Sequence, residues 1–301
     1  MELWIPITIG AALAQNLRFM LQKHLKGGKL STGGATFSRF LYSAPLVALL
    51  VAAYVGATRQ ALPDPGARFW IFALTGGLAQ VLATMCVVAL FAERNFAVGI
   101  TFKKTEVLQT ALLGFVVLGE GISLGALCAM LLGFVAVVLL ADPPKAGGQG
   151  GWKRYLNRAT GLGVLSGVLF ACSAVGYRGA SLSLGDLDFF LRSAFTLSCV
   201  TAAQTIGMAL WLRWREPGEI TRVLASWRVA ALVGVTSMLG SLGWFTAFTL
   251  QNAAYVKALG QIELLFSFLA TVFVFRESTT RREIVAMLLL TASILLLILF
   301  K

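Results

Sequence analysis

Histidine and paired cysteines are scarce in this chain, and their scarcity excludes several kinds of catalytic site. The 301 residues include one histidine, His24, and four cysteines, none in Cys-x-x-Cys spacing. A His-built metal centre or a Ser–His triad is therefore excluded, and no disulfide framework is expected. The Gly-x-x-x-x-Gly-Lys-Ser/Thr run of nucleotide-binding loops is also missing, which argues against ATP-driven pumping. We predict no enzyme activity, no cofactor and no metal.

Charge is the next deficiency. Only 13% of the residues are charged, whereas 58% are hydrophobic, and the mean hydropathy is +0.82. Soluble domains carry about a quarter charged residues. At roughly 20 apolar residues per span, the sequence predicts an all-α integral membrane protein with ten transmembrane helices. The predicted helices are 3–21, 35–56, 69–91, 96–118, 122–141, 160–180, 188–212, 229–251, 253–275 and 281–300.

Acidic residues are few compared with basic ones, at 13 against 25, which gives a net charge of +12. In a soluble protein this excess would suggest nucleic-acid binding. Here most of the lysines and arginines fall in short loops between apolar runs, where they orient the chain against anionic headgroups. We therefore expect the chain to interact with the lipid bilayer and not with nucleic acid. We expect it to be either a monomer or a homodimer.

Two pairs of glutamates recur at one spacing. Glu106 and Glu263 lie 157 positions apart, and so do Glu120 and Glu277, each in or beside an apolar run. A charge near the bilayer centre costs about 2.5–3.5 kcal/mol on insertion scales. A repeated intramembrane glutamate therefore indicates a duplicated functional unit.

A Pro/Gly-rich segment near the middle of the chain divides these units. Residues 142–151 read Asp-Pro-Pro-Lys-Ala-Gly-Gly-Gln-Gly-Gly, which ends one helix and separates it from the next. We predict a first five-helix repeat at 1–141, a loop at 142–159 and a second repeat at 160–301. Because five is odd, the second repeat enters the membrane from the opposite side, which makes the two repeats inverted.

Four short segments allow comparison with a known family. They are Glu106 with the Leu118-Gly119-Glu120 ending, Glu263 with the Phe275-Arg276-Glu277 ending, Ser38-Arg39-Phe40, and Leu191-Arg192-Ser193. The pattern resembles the drug/metabolite transporter superfamily, in its ten-helix branch with two EamA-type halves. Two positions depart from it, since Val107 stands where relatives commonly have proline and residues 14–18 replace a Trp-Gly-x-Asn-like stretch.

Orientation is predicted differently by charge and by resemblance. The loops after odd-numbered helices hold about three times as many Lys and Arg residues as the others, which would put both termini outside. The family resemblance implies termini in the cytoplasm. We follow the resemblance and predict a multi-pass protein of the cell (inner) membrane with both termini on the cytoplasmic side.

The candidate site follows from the repeated glutamates. Lys103 and Glu106 share a helix face through i,i+3 spacing, and Lys257 with Glu263 and Gln261 forms the counterpart in the second half. These residues either line a cavity for substrate or protons, or neutralise one another to fix helix packing. Lys104 should point about 100° away from the Lys103 face.

Further polar residues lie in the first helix. Gln15, Asn16 and Arg18 either line the cavity or join helices, as amides do within membranes. Arg39 and Arg192 are expected to anchor helix ends, with an anion contact as the alternative. Structural roles at helix ends are predicted for Glu120 and Glu277. Five aromatic residues could wall a cavity or belong to packing: Tyr42, Trp244, Phe245, Phe248 and Tyr255.

The functional prediction is secondary transport of a small polar metabolite by alternating access. The intramembrane charges are mostly basic, which favours an amino acid or an organic or phosphorylated anion, with proton coupling or exchange as the driving process. Two alternatives stay open from the residues alone. One is translocation of a lipid headgroup or lipid intermediate, and the other is a membrane scaffold without transport.

Overall fold

The computed structural model describes residues 2–26, 30–91, 101–140, 157–273 and 280–300, in which every regular element is a helix. We number the helices in chain order. They are α1 (Trp4–Lys26), α2 (Thr32–Thr58), α3 (Ala67–Leu90), α4 (Glu106–Leu113), α5 (Leu124–Leu140), α6 (Arg158–Leu182), α7 (Phe189–Arg215), α8 (Glu219–Ala225), α9 (Trp227–Leu250), α10 (Ala253–Leu259), α11 (Ile262–Phe273) and α12 (Arg281–Phe300). A π-helical segment, Gly114–Leu118, continues α4.

Six of these helices are long and apolar enough to cross a membrane: α2, α3, α6, α7, α9 and α12. The prediction of an all-α fold of the multi-pass membrane type is confirmed to this extent. Helix α1 has buried polar side chains, including Arg18 and Gln22, and α5 has 17 apolar residues. The predicted spans at 96–118 and 253–275 differ from the others, because both are interrupted.

Polar residues at the helix starts explain where several helices begin. The Ser31 side chain accepts a hydrogen bond from Gly34 N (2.9 Å) at the start of α2, and Asn157 Oδ1 accepts one from Thr160 N (3.0 Å) at the start of α6. Asp188 caps α7 in the same way. These side chains satisfy backbone N–H groups that have no partner within the helix.

Small residues let the main helix pairs approach closely. Helix α3 packs on α6, α1 on α9, α5 on α12 and α2 on α7. A Cβ added to Gly176 of α6 would lie 2.9 Å from the Gly76 Cα of α3, and one added to Gly243 of α9 would lie 2.8 Å from the Ala11 Cβ of α1. Since the nearest atoms are a backbone Cα in one crossing and an alanine Cβ in the other, neither crossing leaves room for a larger residue.

The predicted spans at 96–118 and 253–275 are each broken near the middle, which corrects the expectation of continuous helices. In the first, a helical turn at 101–103 is followed by non-helical residues 104–105 before α4; residues 96–100 lie outside the described ranges. In the second, residues 260–261 separate α10 from α11. At both breaks a backbone N–H donates a hydrogen bond to the carbonyl oxygen three residues earlier. These bonds are Lys104 N to Thr101 O (3.0 Å) and Gln261 N to Ala258 O (3.2 Å). Such tightened turns inside a helix often mark a functional hinge or local strain.

The two breaks are related by the same spacing as the glutamates. Lys104 lies 157 positions before Gln261, and each break ends just before the glutamate of its half. The break therefore brings a buried carboxylate into the first turn of a new helix in both halves.

Candidate functional site

The breaks in the two helices gather buried charged and polar side chains from α1, α2, α10, α11 and the 101–106 segment. Their side chains are between 3% and 8% exposed. The set comprises Arg18, Arg39, Lys103, Lys104, Glu106, Lys257, Gln261 and Glu263. In this conformation the cluster is closed from solvent, and any substrate would need an opening movement to reach it.

Glu106 lies between two lysines from different halves of the chain. Lys103 Nζ is 3.8 Å from one of its carboxylate oxygens, and Lys257 Nζ is 3.7 Å from the other. The second oxygen, Oε2, accepts no hydrogen bond from the described residues. At these distances the attraction is electrostatic rather than close hydrogen bonding, so the carboxylate holds both ammonium groups loosely.

Glu263 has a different partner from the one expected. It forms an ion pair with Lys104 and accepts a hydrogen bond from Gln15 Nε2 (3.3 Å), and its backbone carbonyl accepts one from Asn16 Nδ2 (3.3 Å). The expectation that Lys104 points away from the cluster is wrong, because the helical turn ends at residue 103 and the 100° rule no longer applies. Lys257, which the sequence grouped with Glu263, lies beside Glu106 of the first half.

The lysines also lie over aromatic rings. Phe170 of α6 has Lys103 Nζ 5.0 Å and Lys257 Nζ 5.3 Å from its ring centroid, and Trp244 lies 5.1 Å from Lys257 Nζ. Ring faces attract cations, and this attraction offsets part of the cost of burying the ammonium groups. Trp244 was among the predicted wall residues, whereas Phe170 was not, because an apolar residue in an apolar helix gives no signal in the sequence.

Two helix N-termini meet the cluster. Glu106 is the first residue of α4, and Glu263 is the second residue of α11. The first turn of a helix has unpaired N–H groups and a partial positive charge, so it stabilises a carboxylate or a bound anion. Interrupted helices whose N-termini face an anionic group are a feature of secondary-transporter sites.

The sequence suggested that Arg39 anchors a helix end at the membrane interface. The structure shows instead that Arg39 is buried. It is 3% exposed and donates hydrogen bonds to Ser237 Oγ (3.0 Å), Thr84 Oγ1 (3.0 Å) and Ser241 Oγ (3.2 Å). The error arises from the helix start, since α2 begins at residue 32 and not at 35. Arg39 is thus seven residues, about 10 Å, inside the helix. Arg192, by contrast, is partly exposed and donates to Gly185 O (3.0 Å), as expected of an anchor.

Arg18 and Gln261 occupy the edges of the cluster. Arg18 NH1 donates to Gln22 Oε1 (2.8 Å), and its guanidinium lies 4.2 Å from the Phe19 ring centroid. Gln261 faces α5, where its Oε1 would be 3.2 Å from a Cβ added to Gly133. The first helix therefore contributes to the cluster, and the Gln261 amide oxygen lies against α5.

Glu120 has a structural partner outside the cluster. It forms an ion pair with Arg178 Nε (2.6 Å), and Arg178 NH1 also donates to Phe248 O (2.6 Å) and Gln251 O (2.7 Å). These contacts tie the end of α6 to the end of α9, which agrees with the predicted structural role. Glu277 lies outside the described residues.

An apolar groove of about 420 Å³ lies apart from these charges, between α3 and α7. Its lining includes Leu74, Leu78 and Trp211, and all its lining residues are uncharged. Leu74 and Leu78 are exposed, as expected of side chains that face lipid. The groove provides space but no group that would select a polar substrate, so we place the candidate site at the buried charges.

Comparisons with known proteins establish the fold alone. No protein-family model and no curated protein matches the chain. A crystal structure described only as "Crystal structure of protein" superposes with a TM-score of 0.66 at 16% sequence identity, covering 97% of this chain and 99% of that chain. The arrangement of helices over nearly the whole length is therefore shared with a solved structure, and that likeness says nothing about substrate.

Proposed function

We propose that this chain is a secondary active transporter of the EamA type, which moves a small anionic or zwitterionic metabolite across the cell membrane by alternating access. The observation that carries the proposal is the position of Glu106 between Lys103 and Lys257, which come from different halves of the chain. A substrate carboxylate or phosphate can take the place of the Glu106 carboxylate between the same two ammonium groups. An internal carboxylate that offsets part of the positive charge of the empty site would allow the unloaded protein to change conformation as well.

The helix contacts support the proposed inverted repeats. Shifting by 157 residues relates α1 to α6, α3 to α9 and α5 to α12, and the packed pair α3–α6 then corresponds to α9–α1. Two helices of the first set also pack on their own counterparts in the second set, since α2 contacts α7 and α5 contacts α12. This pattern is expected of two units related by a two-fold axis, and it favours ten spans in two inverted sets of five.

Cross-pairing between the halves suits alternating access. Lys104 of the first half binds Glu263 of the second, and Lys257 of the second binds Glu106 of the first. If the halves move relative to each other, the two sets of ion pairs open and close with that movement. The breaks at 104–105 and 260–261 supply the short non-helical segments at which backbone angles can change.

A membrane scaffold is the competing function, since paired charges also fix helix packing. Purified protein in proteoliposomes separates the two, because a transporter shows saturable uptake or efflux of a solute and a scaffold shows none. Solutes to test are amino acids, organic acids and phosphate esters, each first screened for an increase in melting temperature. Competition by lipids but not by small solutes would identify a translocator of lipid headgroups instead.

A further inference from the structure

Buried cations outnumber the carboxylates available to them in the described interior. The cations are Arg18, Arg39, Lys103, Lys104 and Lys257, and the carboxylates are Glu106 and Glu263. Lysines already pair with both carboxylates. A third buried carboxylate, Glu219, caps the start of α2 through Ser31 N (2.6 Å) and pairs with Arg222. The two arginines consequently have no carboxylate within ion-pair distance among the described residues.

The described side chains that hold Arg39 in place are all neutral hydroxyl groups. Its three hydroxyl partners come from α3 and α9, and Thr84 and Ser241 are themselves 157 positions apart. Three of the five N–H groups are used, and one N–H on each terminal nitrogen has no partner in the described part of the chain. A guanidinium fixed in this way presents a fork suited to carboxylate or phosphate.

Arg18 is connected through Gln22 to the turn of α2 that precedes Arg39, and it extends toward the lysines. Gln22 accepts from Arg18 and donates to Ala35 O (3.0 Å), which is one helical turn before Arg39 on α2. Phe19 connects Arg18 to the lysine cluster, because Arg18 Cζ is 4.2 Å and Lys103 Nζ 5.7 Å from its centroid. Since both contact one ring, the two cations are roughly 10 Å apart or less.

We propose that the substrate carries two anionic groups, one bound by Lys103 and Lys257 and the other by Arg18 and Arg39. This inference rests on the proposed transport function and narrows its substrate class to dicarboxylates or phosphorylated acids. A buried arginine with no carboxylate in direct contact is costly in a membrane interior, and a second anionic group placed between these two arginines offsets that cost. A zwitterion would instead place its ammonium group next to two guanidinium groups.

The test compares ligands that differ only in charge. Affinities are measured by calorimetry on the full-length protein in detergent, in chloride-free buffer at constant ionic strength. The probes are the dicarboxylates from malonate to adipate, their monoamides, and the ω-amino acids of equal length. At the best chain length, the dicarboxylate should bind about tenfold or more tightly than its monoamide, as hydrogen bonds to a charged group imply. Equal affinities for the three classes of ligand would overturn the proposal. Chloride that, added alone, stabilised the protein as much as the dicarboxylate does would also overturn it.

A matched pair of arginine variants locates the second group. Arg39→Gln should reduce the ratio of dicarboxylate to monoamide affinity by about tenfold, whereas Arg192→Gln, at the partly exposed arginine of the second half, should leave that ratio unchanged. An unchanged ratio in Arg39→Gln would overturn the assignment to this arginine pair; if that variant does not fold, Arg18→Gln gives the same comparison. Dicarboxylate binding without uptake in proteoliposomes would contradict transport but not the inference. Uptake of monoanions with no preference for dianions would support transport but contradict the inference.

Discussion

Lys104 and Glu263 form a buried ion pair although they lie 159 positions apart and belong to different predicted halves of the chain. The pair joins the break in one helix to the start of the helix that follows the other break. Any relative movement of the halves must therefore stretch or break this contact.

The first prediction concerns the stability of that pair. Glu263→Gln leaves the Lys104 ammonium buried without a counter-charge and should reduce the free energy of unfolding by about 3–5 kcal/mol. The double variant Lys104→Met/Glu263→Gln removes the stranded charge and should recover most of this loss. The free energies of unfolding in detergent of Lys104→Met, Glu263→Gln and the double variant together give the coupling free energy of the pair. Additive effects would show that the two side chains do not depend on each other.

The second prediction concerns the contact of α6 with the lysine segment. A Cβ on Gly167 would lie 3.0 Å from Lys103 O and 2.8 Å from Gln109 Oε1. Gly167→Leu should therefore displace Lys103, lower stability by about 1–3 kcal/mol and weaken anion binding. Gly161→Leu, on the same helix with open space around it, is the matched control and should be neutral or slightly stabilising. Equal behaviour of the two variants would mean that the close approach of α6 does not position the site.

The third prediction concerns proton dependence. If protonation of Glu106 releases Lys103 and Lys257 for the substrate, Glu106→Gln should flatten the pH dependence of uptake. Glu120→Gln is the control, because Glu120 pairs with Arg178 outside the cluster. Uptake by Glu106→Gln whose pH profile still matches the wild type would assign proton coupling to another group, or to none.

The fourth prediction concerns membrane orientation. Both termini should be cytoplasmic, as the family resemblance implies, although the loop charges favour the other side. Reporter fusions at Lys301, together with labelling of single cysteines in the loops, measure this directly. Periplasmic exposure of Lys301 would show that the distribution of loop charge decides the orientation.

The two central glutamates could be found from the sequence, since a repeated acidic residue within apolar runs is conspicuous. Lys104 was assigned to the wrong face because the angle between neighbouring residues assumes an unbroken helix, and the helical turn ends at Lys103. Arg39 was misplaced because a three-residue error at the start of α2 moves it by most of a turn. Phe170 could not be found at all, since its role comes from the lysines that pack on it and not from its neighbours in sequence.

Helix bounds show the same division between what local sequence determines and what packing determines. Uninterrupted apolar runs such as α6 and α12 were predicted to within two residues, because length and hydropathy are local properties. The breaks at 104–105 and 260–261 were not predicted, since both lie within apolar runs whose length and hydropathy indicate continuous helices.

The most direct test is uptake by a variant that removes Glu106 together with the two lysines beside it. The triple variant Lys103→Met/Glu106→Leu/Lys257→Met leaves no stranded partner, so it should fold with a melting temperature at or above that of the wild type. The control Glu120→Leu/Arg178→Met removes an ion pair elsewhere and should keep measurable uptake. The triple variant should fold, lose the tight binding of dicarboxylates that needs both cationic pairs, and show no saturable uptake in proteoliposomes. A folded triple variant that transports an anion at the wild-type rate would contradict the proposed function.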